Sequence, residues 1–175
     1  GLCPPVWQRP AMTIRFGILT LSDRSSRGER PDSSGPALAR LVLTENWSIA
    51  KEALLPDNES AIRDILSEWA DSGEVDVILT TGGTGFAPRD VTPEATRAII
   101  EREAPGLAEA MRAASLKITP HAMLSRIVTG IRKRTLIINL PGSPKGAVEN
   151  LQVILPVLAH AVQLLQEDPA SEASH

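Results

Sequence analysis

The sequence predicts an α/β fold: a mostly parallel sheet covered by helices on both faces. Strand-like segments alternate with segments that carry apolar residues at helical spacing, an alternation typical of parallel sheets. The apolar run at 75–79 has the length and composition of a buried strand. The 175 residues suffice for one domain with a hydrophobic core. We expect that domain at 13–167, an N-terminal extension or expression remnant at 1–12 and a flexible tail at 168–175.

The predicted elements follow from apolar spacing and from the residues that end each run. Strands are expected at 14–21, 48–55, 75–80, 127–131 and 136–140, and the polarity of the second places it at an edge of the sheet. Helices are expected at about 36–45, 59–72, 93–103, 107–114 and 147–166. Their predicted N-caps are Ser33 or Ser34, then Asp57 or Asn58, then Thr92. Pro156 should kink or split the last helix.

Composition argues against several functional classes. Apolar residues make up 42% and charged residues 22%, the usage of ordinary globular proteins. A formal charge of −3 gives no reason to expect nucleic acid, and no continuous apolar run approaches the ~20 residues of a membrane span. Cys3 is the only cysteine, so an internal disulfide and a multi-cysteine zinc site are excluded. This usage fits a reducing, cytoplasmic compartment.

The one basic cluster, residues 132–134, lies between two predicted strands. We interpret it as a solvated turn, with phosphate or partner contact as the alternative.

Four polar loops follow predicted strands. They begin at Ser22-Asp23, at Pro56-Asp57, at Gly82 and at Asn139. If the strands are parallel, these loops share the sheet edge at which α/β proteins bind ligands. Their convergence is a stronger indication of a site than any single motif.

The third of these loops has the composition of a phosphate site. Gly82, Gly83 and Gly85 surround Thr84, and glycines after a strand let backbone N–H groups approach an anion closely. The alternative is a long turn in which the glycines serve shape alone. The charged pair that follows, Arg89 and Asp90, favours a functional loop because a bare turn needs neither charge.

Three aspartates in these loops point to metal-assisted phosphate chemistry. Asp23 and Asp57 would each, taken alone, more often cap a helix or form a turn, and Asp90 precedes Thr92, itself a good cap. Beside a phosphate loop, however, carboxylates can hold Mg²⁺, which indicates nucleotidyl or phosphoryl transfer. No Gly-Lys-Ser/Thr follows the glycines, so a Walker loop is excluded. The scattered histidines support neither a zinc site nor a hydrolase triad.

Several long segments resemble one family. Residues 80–96, 100–107, 115–120 and 136–145 closely resemble the molybdopterin adenylyltransferases: the bacterial Mog-type enzymes, the plant Cnx-type G domain and the gephyrin G domain. The likeness extends over about residues 14–165. It implies a three-layer α/β/α Mog-like fold, usually a homotrimer, and a molybdenum-insertase partner. It also implies that ATP, Mg²⁺ and molybdopterin give adenylyl-molybdopterin and pyrophosphate.

The resemblance also implies roles for particular residues. Asp57 and Asp90 match the catalytic carboxylates, which would hold Mg²⁺, and Ser115 matches a pterin-side position. The positions that match nucleotide-binding residues are Gly82, Gly83, Thr84 and Gly85 of the phosphate loop, and Ser22, Asp23, Asn139, Pro141, Gly142 and Ser143 of the surrounding pocket.

Two alternatives remain at this stage: a non-catalytic pterin-binding or scaffolding trimer of the Moa-B or gephyrin type, and a related nucleotide pyrophosphatase. The segments at 100–106 and 115–120 favour the Mog and gephyrin side.

Overall fold

The computed structural model describes residues 13–167, so the expected extension, which includes Cys3, and the expected tail lie outside the described residues. The strands are β1 Arg15–Leu21, β2 Ser48–Leu55, β3 Val77–Thr81, β4 Arg102–Glu103, β5 Thr129–Arg132 and β6 Thr135–Leu140. The helices are α1 Asp23–Ser26, α2 Ser34–Thr44, α3 Glu59–Asp71, α4 Thr92–Ile99, α5 Pro105–Leu116 and α6 Pro144–Gln166, with a 3₁₀ helix at Pro120–Leu124.

The strands form one mixed sheet in the order β2-β1-β3-β6-β5-β4. β2, β1, β3 and β6 run parallel, and β5 and β4 extend the sheet in antiparallel fashion. The predicted α/β class and the edge position of β2 are therefore confirmed. The basic cluster lies at the turn between β5 and β6, where Arg132 pairs with Asp71 at 2.9 Å, so its interpretation as a strand-to-strand turn is also confirmed.

Apolar side chains project from both faces of the sheet because successive strand residues point in opposite directions. Phe16 and Ile18 of β1 belong to the core beneath α2, α5 and α6. Leu19 and Leu21 belong to the core beneath α3 and α4. The sheet is thus the middle of three layers, and each fully buried large side chain contributes roughly 1.5–3 kcal/mol to stability.

Ser33 occupies the predicted N-cap position of α2, whereas Thr92 does not occupy that of α4, and neither side chain caps its helix. The Ser33 side chain makes no capping hydrogen bond; the Gly35 N–H at the start of α2 instead donates to Asp32 Oδ1 at 3.1 Å. Thr92 opens α4 without capping it, because its hydroxyl donates to the Gly82 carbonyl at 2.9 Å. The Asn58 cap of α3 is confirmed, since Asn58 Oδ1 accepts from the Ala61 N–H at 3.0 Å.

The helix expected at 93–103 is shorter than its pattern predicts. α4 ends at Ile99, and Ile100 has extended backbone. The next residues join the sheet: the Glu101 N–H donates to the Ile131 carbonyl at 2.8 Å, and the Ala104 N–H donates to the Thr129 carbonyl at 3.0 Å. Pairing with β5 therefore overrides the local helical preference and forms β4.

α6 is one continuous helix of 23 residues, so Pro156 does not split it. Pro156 lies on its exposed side, between the buried residues Ile154 and Leu158. By length and composition α6 is apolar enough to cross a membrane. Polar residues interrupt its apolar sequence, so it contains no long continuous apolar run. Its buried face, which also includes Leu151 and Val162, packs into the core. We therefore interpret α6 as a core helix.

Candidate active site

The carboxyl ends of β1, β2, β3 and β6 converge on a cavity of about 840 Å³, as the loop pattern predicted. The predicted site residues that line it are Ser22, Asp23, Asp57, Gly82, Gly83, Asp90, Gly142 and Ser143. Arg24, Arg27, Arg30 and Arg89 line it as well. The volume lies in the range of small-molecule sites. Aspartates and arginines therefore line a single cavity large enough for a nucleotide.

Asp23 and Asp57 lock the ends of β1 and β2 together through reciprocal hydrogen bonds. The Asp57 N–H donates to Asp23 Oδ1 at 2.9 Å, and the Asp23 N–H donates to Asp57 Oδ2 at 3.2 Å. The second oxygen, Asp57 Oδ1, is buried and has no hydrogen-bond partner among residues 13–167. A buried carboxylate oxygen without a donor is costly, so this atom indicates a missing cation or donor.

The surroundings of Asp57 also change its protonation. Burial raises the pKa of the Asp57 carboxyl, and the nearby negative charges of Asp23 and Asp90 raise it as well. The hydrogen bond from the Asp23 backbone and the positive charge of Arg89 act in the opposite direction. A pKa raised by burial and like charge inside a cavity is typical of functional sites.

The phosphate loop requires glycine at positions 82 and 83, because its backbone there is one that residues with a side chain rarely adopt. Gly82 and Gly83 have φ angles of +103° and +68°. A Cβ on Gly82 would overlap the Leu21 carbonyl oxygen, and one on Gly83 would overlap the Thr92 hydroxyl. Thr92 secures the turn from the other side, because its N–H donates to the Gly83 carbonyl at 3.1 Å. The glycines thus allow β3 to turn directly into the cavity wall.

Asp90 closes the same loop. Its Oδ2 accepts from the Ala87 N–H at 2.9 Å, and its own N–H donates to the Ala87 carbonyl at 2.9 Å. The side chain lines the cavity with Asp57. Asp57 and Asp90 therefore reach one space from different loops.

A second, smaller cavity of about 320 Å³ adjoins the first, and Ser143 lines both. The other predicted site residues here are Thr84, Gly85, Ser115 and Pro141. Its wall is more apolar and includes Ile118 and Leu124. The phosphate loop is thus divided between the cavities: its first two glycines face one, and Thr84 and Gly85 face the other.

The comparisons with known proteins identify the family of this two-cavity domain. The model of the MoCF_biosynth family, described as a probable molybdopterin binding domain, matches residues 17–160. The chain belongs to this family.

Relatives support this membership over most of the chain. The chain is 44% identical over 165 residues to gephyrin of Dictyostelium discoideum, covering 89% of this chain and 23% of that protein. It is 42% identical over 156 residues to molybdopterin adenylyltransferase of Helicobacter pylori J99, covering 87% of this chain and 88% of the relative. The crystal structure of MoaB of Thermus thermophilus, described as a molybdopterin biosynthesis enzyme, matches with a TM-score of 0.84 and 52% identity, covering 90% and 99% of the two chains.

Within this domain of the MoCF_biosynth family, the placement of Asn139 corrects one prediction. Asn139 is fully buried and lines neither cavity. Its Oδ1 accepts from the Val128 N–H at 3.0 Å, and its Nδ2 donates to the hydroxyls of Thr80 and Thr96, each at 3.0 Å. Both hydrogens of the side-chain amide are thus used within the core, away from the cavities. Asn139 instead joins β6, β3 and α4 beneath the site.

Sequence reasoning also missed Ser125. Its hydroxyl is buried without a hydrogen-bond partner among the described residues, and Ser125 lines the second cavity. A single serine between a 3₁₀ helix and a strand carries no sequence signal of function. Ser125 becomes a candidate site residue only from the structure, in which it lines the same cavity as Ser115 of α5.

The carboxylate oxygens of this site suit Mg²⁺ better than a metal ion whose ligands all come from the protein. No cluster of three or more histidine, cysteine or acidic residues that could hold a metal occurs within residues 13–167. Asp57 Oδ1, buried and unpartnered within that range, and the Asp90 carboxylate at the same cavity supply two oxygen donors. Mg²⁺ commonly takes one or two carboxylates and completes its shell with water and substrate phosphates.

Proposed function

We propose that this chain transfers the adenylyl group of ATP to molybdopterin in a Mg²⁺-dependent reaction, giving adenylyl-molybdopterin and pyrophosphate. The observation that carries the proposal is the pair of cavities that meet at Ser143, one polar with paired carboxylates and one more apolar. Group transfer needs two substrates held side by side, and adjoining cavities provide that. The molybdopterin adenylyltransferase name of the Helicobacter relative, at 42% identity, supports the choice of substrates.

The larger cavity is assigned to ATP. The backbone at Gly82 and Gly83 approaches the phosphates closely, and Arg24, Arg30 and Arg89 supply positive charge in the same cavity. An acceptor oxygen of the pterin forms a bond to the α-phosphorus, and the bond from that phosphorus to the bridging oxygen of pyrophosphate breaks. The protein contributes position and charge, as in phosphoryl transfer generally.

Asp57 and Asp90 are assigned to Mg²⁺. When bound, this ion would offset the negative charge of the phosphates and of the leaving pyrophosphate. The reciprocal Asp23–Asp57 bonds orient the Asp57 carboxylate so that Oδ1 has no donor among the described residues. The bond from the Ala87 N–H orients Asp90 in the same way.

The smaller cavity is assigned to the pterin. Ser115, Ser125 and Thr84 offer hydroxyls, and the apolar wall suits a flat heterocycle. Ser115 Oγ lies 3.5 Å from Asn150 Oδ1, a long contact that leaves the hydroxyl able to turn to a ligand.

A product assay tests the proposal. Purified protein with ATP, Mg²⁺ and molybdopterin should release pyrophosphate and adenylyl-molybdopterin in equal amounts, and ATP alone should release none. Pyrophosphate or AMP formed without pterin would indicate a nucleotide pyrophosphatase instead. Binding of pterin without any product would indicate a scaffold.

The scaffold remains the second candidate because of the gephyrin match. The chain spans only 23% of that relative's length, so a domain of this kind occurs within a larger protein. The Asp57 oxygen, which has no hydrogen-bond partner within residues 13–167, and the carboxylate pair favour catalysis, since pterin binding alone requires neither.

The assembly and location follow from the same proposal. We expect a homotrimer, a molybdenum-insertase partner and a cytoplasmic enzyme. Val153, Val157 and Leu164 form an exposed apolar stripe along α6, which suits an interface between copies. Light scattering should give a mass near three times 18.8 kDa, and the mass of one chain would contradict the trimer.

A further inference from the structure

Arg126 lies between the two cavities and reaches both ends of the 85–90 loop. Its Nε donates to the Gly85 carbonyl at 2.8 Å, and its Nη2 donates to the Asp90 carbonyl at 2.7 Å. Its Nη1 pairs with Glu94 Oε2 at 2.7 Å, which orients the guanidinium. Arg126 itself lines neither cavity. Its contacts therefore act on the loop and not directly on a ligand.

The loop has little other support. Among the described residues, its remaining hydrogen bonds are internal, between Ala87 and Asp90. The Phe86 side chain is 66% exposed and adds little packing. Among the described residues, the two carbonyl contacts of Arg126 are thus the hydrogen bonds that join the 85–90 loop, and with it Asp90, to the rest of the domain.

The backbone of Arg126 adjoins two residues of the second cavity's wall, Thr84 and Ser125. Its N–H donates to the Thr84 carbonyl at 2.9 Å, and its neighbour Ser125 lines that cavity. Arg112 of α5 fixes the same segment by donating to the carbonyls of Ser125 and Ile127, each at 3.2 Å. One residue therefore connects the wall of the smaller cavity to the backbone of Asp90, whose side chain lines the larger one.

We propose that Arg126 is a positioning residue that holds Asp90 in place and ties it to the wall of the second cavity. This role of Arg126 rests on the proposed function, in which Asp90 takes part in adenylyl transfer. A planar guanidinium can span two carbonyls and a carboxylate at once, whereas a lysine ammonium cannot reproduce this fork. Lysine at this position should therefore fail to substitute for arginine.

Arg132 provides a matched control. It pairs with Asp71 at 2.9 Å and donates to the Ile99 carbonyl at 2.8 Å, so it also joins a carboxylate and a carbonyl. It is paired with Thr135 at the start of β6, five residues before Leu140, which places it about 17 Å along the strand from the cavity end. Loss of Arg132 should reproduce the structural cost without touching the site.

The test compares Arg126→Met, Arg126→Lys and Arg132→Met by hydrogen exchange and by kinetics. Arg126→Met should speed amide exchange in residues 84–90 and lower kcat about 100-fold, the loss that a misplaced catalytic group commonly causes, with a much smaller change in KM for ATP. Arg126→Lys should lie close to Arg126→Met. Added guanidinium ion should restore part of the activity of Arg126→Met. Arg132→Met should keep wild-type kcat and exchange in that loop.

Unchanged exchange at 84–90 in Arg126→Met would overturn the inference, as would an equal loss of kcat in Arg132→Met. If the wild-type protein forms no adenylyl product, the proposed function fails, and the exchange experiment still decides whether Arg126 holds the Asp90 loop.

Discussion

Replacing Asp57 by asparagine should stabilise the protein while removing its activity. The change keeps the size of the side chain, and the asparagine oxygen can still accept from the Asp23 N–H. The hydrogen bond from the residue 57 N–H to Asp23 is made by the backbone and remains. What disappears is a negative charge on a half-buried side chain near the charges of Asp23 and Asp90.

The expected size of the effect follows from the removal of an unfavourable charge. Single stabilising substitutions, charge optimisation among them, commonly contribute roughly 0.5–2 kcal/mol. For a chain of 175 residues, about 1 kcal/mol corresponds to a rise in Tm of roughly 2–4 °C.

The stability difference should depend on pH in one direction. Burial and like charge raise the pKa of Asp57 in the folded state. The folded protein therefore binds a proton more tightly than the unfolded chain does. Its stability falls as pH rises from the unfolded pKa, about 3.9, through the folded pKa, and is constant above it. The advantage of Asp57→Asn should be full at neutral pH and vanish at acid pH.

Thermal unfolding without metal, at neutral and at acid pH, measures this difference. Asp64→Asn, on the exposed side of α3, is the matched control and should change neither stability nor turnover. An Asp57→Asn variant that is less stable than wild type at neutral pH, or that keeps near-normal adenylyl transfer, would refute the role of this carboxylate.

Two further substitutions separate the site from its support. Gly83→Ala should lose most activity and about 1–3 kcal/mol of stability. The φ of +68° at this position disfavours a side chain, and the new Cβ would overlap the Thr92 hydroxyl. A fully active variant of wild-type stability would contradict this prediction. Asn139→Ala should lower Tm by roughly 4–8 °C, since it leaves the hydroxyls of Thr80 and Thr96 and a strand N–H without their partner at a cost of at least about 2 kcal/mol. Calorimetry measures the stability of both variants, and the adenylyl-transfer assay measures the activity of Gly83→Ala. An Asn139→Ala variant with wild-type Tm would show that water replaces the amide.

The convergence of the loops could be predicted from sequence because it depends on local signals. Apolar runs located the strands, and parallel pairing then required their ends to meet at one edge, which brought Asp23, Asp57 and Gly82 together. The Asn58 cap could be predicted for the same reason, since a cap involves neighbours in the chain.

The errors arise where distant residues compete for the same groups. Thr92 has the type and position of a cap, but its hydroxyl bonds to Gly82, ten residues earlier. Asn139 stands beside pocket residues in the chain, yet its side chain points into the core between strands and helix. β4 spans only two residues and exists because β5 pairs with it.

The second cavity was the part least accessible to sequence reasoning. Its walls combine the phosphate loop, α5, the 3₁₀ helix and the start of α6, and only Ser115 among its helical residues was singled out, through family resemblance. The contacts of Arg126 are equally remote, since 36 residues separate it from Asp90 in the chain. Such contacts leave no local pattern.

The central claim is that Asp90 acts in the transfer of an adenylyl group from ATP to the pterin. Its most direct test follows ATP labelled in the α-phosphate in wild-type protein and in Asp90→Asn, with Mg²⁺ and molybdopterin present. With wild-type protein, label should move to the pterin, whereas Asp90→Asn should still bind pterin but transfer label at least about 100-fold more slowly. Label transfer by Asp90→Asn at the wild-type rate would contradict the claim.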